Sequence, residues 1–245
     1  MLKGSVSFLA AIKGNGVTFR LFEFNPKEPG VDKVEIEAPN GDEIVGRVHF
    51  VAVTSKAEAR MLAARVTTIA LNRIAFIYNL VMETARLTSD HFTRLASPPG
   101  VIEVESGDVV SVGGEARLVR SLQATTVKAE LEQQVFPGEH NYGLFCFVTR
   151  LESPVEEFMF LYNLLLRFFN DSQENVDQFI VGVTPAVPTT PSPRKAGATE
   201  TVYRRLRNEV GHYRPGATPE KTRKEVAENV AGLRALTKRA IESDL

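Results

Sequence analysis

Few side chains in this sequence are suited to acid–base or nucleophilic work near neutral pH: four histidines and one cysteine. Cys146 lies in the apolar run Leu144-Phe145-Cys146-Phe147-Val148, where a thiol is expected to be buried and inert. A single cysteine excludes a disulfide scaffold and zinc sites of the Cys-x-x-Cys kind. No histidine pair has metal-ligand spacing, so neither a metal nor a cofactor is expected. No Gly-x-Ser-x-Gly, phosphate-cradling glycine loop or dinucleotide fingerprint occurs, and Gly113-Gly114 reads as a turn. His49 falls in a strand pattern between Val48 and Phe50 and reads as structural. His91 sits in a polar stretch and His140 in Gly138-Glu139-His140-Asn141, both facing solvent. His212 differs, because it closes Leu206-Arg207-Asn208-Glu209-Val210-Gly211-His212 at the end of an expected helix. Arg204, Arg205 and Arg214 stand nearby, a cluster suited to RNA or another phosphate-bearing polyanion.

The pattern Arg207-Asn208-x-x-x-His212 resembles the Arg-x(4–6)-His motif of the HEPN superfamily. These are helical-bundle domains of prokaryotic toxins, phage-defence proteins and RNA-processing nucleases. The resemblance covers about residues 153–245. Thr201-Val202-Tyr203 through Gly216 and the last helix are also similar to the MauJ-like proteins encoded in methylamine-utilisation operons. With 19 Arg and 4 His, chance gives on the order of one loose match, and Arg86 with His91 is such a match. Requiring Asn directly after Arg lowers the chance expectation to roughly 0.04, which Arg207–His212 satisfies and Arg86–His91 does not.

The resemblance implies metal-independent RNA cleavage at a composite site on a homodimer twofold. A 2′-hydroxyl attacks the adjacent phosphate, one group takes its proton and another protonates the leaving 5′ oxygen, and His212 acts as general acid or base. Arg207 holds phosphate oxygens as charge develops, and Asn208 orients the substrate or hydrogen-bonds across the site. Residues five apart on a continuous helix point about 140° away from each other, so Arg207 and His212 converge only if the helix ends between them. Gly211 is placed to end it as a left-handed terminator. A second reading is a non-catalytic dimerisation or nucleotide-binding module. There Arg207 caps carbonyls or pairs with Glu209, and His212 sits at the negative helix end. A third places function in a small-molecule site of the N-terminal region.

The elements that position these residues follow from periodicity. Residues 6–12, 17–24, 33–38 and 44–53 are rich in β-branched and aromatic residues and separated by Gly, Asn and Pro turns, which predicts antiparallel strands. Ser55 and Glu58 have capping-box spacing, and Leu62, Val66, Ala70, Ile74, Ile77 and Val81 continue one amphipathic helix over 55–86. A second β-rich stretch is expected over 101–148, with turns at Ser106-Gly107-Asp108 and Gly113-Gly114 and either strand or a helical turn over 130–134. Ser153-Pro154-Val155-Glu156 opens a helix apolar nearly all round, and a short element follows over 172–180. The Pro-rich stretch 182–199 reads as a surface loop, followed by helices over 200–211 and 219–243. The expected fold class is α+β: an antiparallel β-rich region with one long helix over 1–150, then a helical bundle over 151–245.

Charge divides the chain at the Pro-rich stretch. Residues 194–245 carry 12 basic and 7 acidic side chains, a net of +5, whereas residues 1–193 carry 17 and 23, a net of −6. An anionic partner suits the second part, and a sensor for a ligand or protein suits the acidic first part. No segment reads as secretory or membrane-spanning, which points to the cytoplasm.

Overall fold

Polar and apolar residues alternate along the first four strands, and the alternation fixes which face each strand buries. A computed structural model describes residues 1–94, 118–132, 139–193, 197–212 and 214–243. Its contacts divide the chain into two compact units, Met1–Phe136 and Pro137–Leu245.

The first unit opens with β1 (Leu2–Lys13), β2 (Gly16–Phe24), β3 (Val31–Ala38) and β4 (Glu43–Val53). Val6, Phe8, Ala10 and Ile12 of β1 are buried on one face, beside Val34 and Ile36 of β3 and Ile44 and Val48 of β4. Neighbouring strands are antiparallel, with β1 against β4, β4 against β3, and β3 against β2. β5 (Val81–Met82) and β6 (Arg86–Arg94) pair with the other edge of β1, and β7 (Val119–Ser121) runs parallel to β2. Gly4 of β1 lies opposite Phe50 and Phe92. A Cβ there would approach the His91 carbonyl oxygen to 1.9 Å, so the glycine is what allows the two rings to meet across it at 6.3 Å.

Helix α1 (Lys56–Tyr78) covers this sheet. Ser55 caps it by accepting from the Glu58 amide at 3.1 Å, and the Glu58 carboxylate accepts from the Thr54 amide at 2.6 Å. Its buried residues, from Ala59 through Val66 and Ile74 to Phe76, face β1 and β4. The helix is long and apolar enough to cross a membrane by length and composition, yet that same apolar stripe packs on the sheet. It ends eight residues before the expected 86. Asn79 adopts a left-handed conformation (φ 56°), and Val81 and Met82 leave the helical stripe to pair with β1. The polar stretch beyond is strand β6, with Arg86 and His91 on it.

The expected β-rich stretch over 101–148 is largely helical where it is described. Helices α2 (Ala124–Glu132) and α3 (Glu139–Val148) occupy it, and residues 101–117, with both expected turns, lie outside the described residues. The run around Cys146 is therefore helix, its apolar residues serving the packing of α3 on α4 (Pro154–Phe168) and α7 (Pro219–Ser243). A short apolar run fits a buried helix as well as a buried strand.

The second unit is built on α4, capped by Ser153 with Pro154 at the first position. Phe158, Leu161, Tyr162 and Leu165 are wholly buried. Phe160, Asn163 and Arg167 face outward, so the helix is not buried all round. α5 (Gln173–Val183) follows, capped by Ser172. The Pro-rich stretch contains β8 (Thr189–Pro191), which pairs with β9 (Thr199–Thr201) as a two-stranded ribbon leading into α6 (Val202–Gly211). α6 packs against α4 and α7.

Candidate functional site

The motif residues occupy the last turn of α6 and the residue after it. Thr201 caps the helix by accepting from the Arg204 amide at 3.3 Å, while its hydroxyl donates to Asp177 of α5 at 2.6 Å. Arg204 donates to the other Asp177 oxygen at 3.1 Å. One turn earlier on α5, Gln173 exchanges amide contacts with Asn208 in both directions at 3.4 Å. Residues one turn apart on α5 thus fix residues one turn apart on α6. Asn208 is buried at 5% exposure, and its Oδ1 also accepts from Arg207 at 3.1 Å.

Gly211 does not terminate the helix in a left-handed conformation as expected. It is the last helical residue, and His212 leaves the axis with extended backbone (φ −147°, ψ 149°), its amide donating to the Asn208 carbonyl at 2.9 Å. The helix therefore ends between Arg207 and His212, by the extended cap rather than by glycine. A left-handed glycine does occur further on, at Gly216 (φ 83°). His212 is exposed.

The four arginines around the motif divide by partner. Arg204 meets Asp177, Arg205 bonds Glu209 at 2.8 Å and also Glu225, and Arg214 grips Glu200 with both ends of its fork, one at 3.1 Å. Glu200 is 2% exposed, so its charge rests on Arg214 and Arg204. The expected phosphate-binding trio of Arg204, Arg205 and Arg214 is thus engaged internally, tying the start of α6 to the chain beyond it and α6 to α7. Arg207 makes no ion pair among the described residues. Its Nε is buried without a hydrogen-bond partner, as are the Arg204 Nε and the Tyr162 hydroxyl. Burial pushes the Tyr162 phenol up, with the Asp177 charge adding to the effect.

Comparison with protein-family models, curated proteins and solved structures finds no match to this chain. Gln173, Asp177 and Tyr162 were not singled out from sequence. The Ser172 cap marks the helix that carries the first two, but no spacing signal links that helix to α6.

The remaining candidates lie elsewhere. His140 is exposed on α3, and Cys146 is buried with its thiol pushed up to about 11 by desolvation. His49 and His91 face each other across Ser5 on the sheet of the first unit. No three His, Cys, Asp or Glu side chains gather as a metal-holding group among the described residues.

Proposed function

We propose that the protein is a cytoplasmic, metal-independent RNA endonuclease of HEPN type, working as a homodimer, with the first unit as its regulator. The observation that carries this reading is the partner pattern of the arginines. Three of them are neutralised by carboxylates, whereas Arg207 keeps its charge free of one and is hydrogen-bonded to Asn208 one helical turn before the exposed His212. A guanidinium without a carboxylate partner has its fork available for phosphate oxygens.

In this mechanism Arg207 binds the scissile phosphate and stabilises the charge that develops on it. Asn208, held by Gln173, fixes the guanidinium, and His212 transfers a proton to or from the reacting oxygens. Two copies of His212, brought together at the twofold, supply the acid and the base. The test is cleavage of generic RNA in EDTA by the native protein and by His212→Ala. Activity confined to the native protein supports the reading, and equal activity in both removes this histidine from it.

The internal pairing of Arg204, Arg205 and Arg214 favours a second reading, a dimeric nucleotide-binding module without cleavage. It predicts no cleavage of any RNA, saturable nucleotide binding that Arg207→Ala abolishes, and a dimer that survives that substitution.

A further inference from the structure

In the first unit, register places His49 of β4, Ser5 of β1 and His91 of β6 directly opposite one another in one row across the sheet. Adjacent strands stand about 4.8 Å apart, so the two imidazoles are separated by roughly twice that distance over the small side chain of Ser5. Opposed residues share a face, and a serine flanked by two larger rings leaves a recess. That recess is a cavity of about 330 Å³, with Ser5 buried at its floor, His49 and His91 as walls, and Lys3, Thr93 and Asp32 also lining it.

His49 is fixed at 3.0 Å from Glu35, whose charge Lys33 also holds at 3.0 Å. The Thr93 hydroxyl donates to the Lys3 carbonyl at 3.3 Å, joining the two strands at the rim. Among the described residues, no hydrogen bond or ion pair engages the side chains of Lys3, Ser5 or His91. Residues bearing an ammonium, a hydroxyl and an imidazole thus line one recess, with Asp32 beside them.

We propose that this recess binds the oxyanion of a small metabolite, a phosphomonoester or a carboxylate. Lys3, Ser5 and His91 hold the anion, and Asp32 takes a hydroxyl or amino hydrogen of the same molecule. The volume lies at the small end of metabolite sites and admits an anionic group with one ring or a short chain. The site belongs to the first unit, whereas Arg207 and His212 belong to the second, and it does not depend on that unit cleaving RNA.

The experiment is a titration of the full chain with inorganic phosphate, phenyl phosphate and benzoate. It is followed by calorimetry and by the side-chain NMR signals of the four histidines, in the native protein and in Lys3→Gln and His91→Gln. Saturable binding that shifts His49 and His91 while His140 and His212 stay in place supports the proposal, as does a weakening of tenfold or more in both variants. Phosphate against benzoate preference assigns the anion. Absence of saturable binding by all three probes, binding that moves His212 instead, or equal affinity in native and variant proteins would overturn it. Thermal melts of the unliganded variants confirm that they are folded. Loss of RNA cleavage in His212→Ala leaves this result untouched, so the two readings fail separately.

Discussion

Arg207 and His212 owe their setting to residues that do no chemistry. The Gln173–Asn208 amide pair holds the Asn208 carbonyl oxygen toward the Arg207 guanidinium, and the extended backbone of His212 turns the chain off the helix. Replacing Gln173 with Ala removes that brace and takes the partner from the buried Asn208 Nδ2, a cost of about 1–3 kcal/mol read as a lower melting midpoint. Gly211 tests a different point. It is helical, and an added Cβ meets nothing within 4 Å, so Gly211→Ala is predicted to raise stability by up to about 1 kcal/mol. A glycine needed for a left-handed turn would instead make the alanine variant less stable. Cys146, with its thiol pushed up to about 11 on a buried helix face, is predicted to resist a thiol reagent until the protein is denatured. Rapid labelling of the native protein would contradict its burial.

At the scale of elements, local signals were legible where one short stretch decides the conformation. The four opening strands, the Ser55 and Ser153 caps and the Pro154 start all lie where alternation and capping chemistry place them. Ser153→Ala is predicted to cost about 1 kcal/mol, measured by denaturant unfolding. The end of α1 was not legible, because Val81 continues the apolar period while its backbone is claimed by pairing with Lys13 of β1. Asn79 is the local clue, and Asn79→Ala should destabilise by about 1 kcal/mol at its left-handed position. The run at 144–148 misled for a related reason: five apolar residues carry no period that separates strand from helix, and the partners α4 and α7 decide it. The site was legible only in part. Arg207, Asn208 and His212 share one stretch of sequence, whereas Gln173 and Asp177 reach it through tertiary packing. Likewise the carboxylates that neutralise Arg204, Arg205 and Arg214 are invisible in a count of basic residues.

For the whole molecule, the opposite charge of the two parts has to be set beside this internal pairing. Glu200, Glu209 and Glu225, which balance Arg214 and Arg205, are already counted in the net of +5, whereas Asp177 lies outside that span and offsets one further charge at Arg204. Acid should act on the units with opposite sign. Lys33 and then His49 hold the Glu35 carboxylate below its ordinary value of 4.5, so its stabilising contribution is present above that value and is lost as pH falls beneath it. Burial of Glu157 outweighs its bond to Arg234 and raises its value, so protonation on acidification relieves a cost in the second unit. Melting followed from pH 6 to pH 3 should show Glu35→Gln less stable than the native protein at pH 6, with the gap closing toward pH 3. The product ends report directly on the chemistry at Arg207 and His212. RNA incubated with the protein in EDTA should yield 2′,3′-cyclic phosphate and 5′-hydroxyl ends, and His212→Ala and Arg207→Ala should each lose the activity. No cleavage, 5′-phosphate ends, or undiminished cleavage by His212→Ala would contradict it.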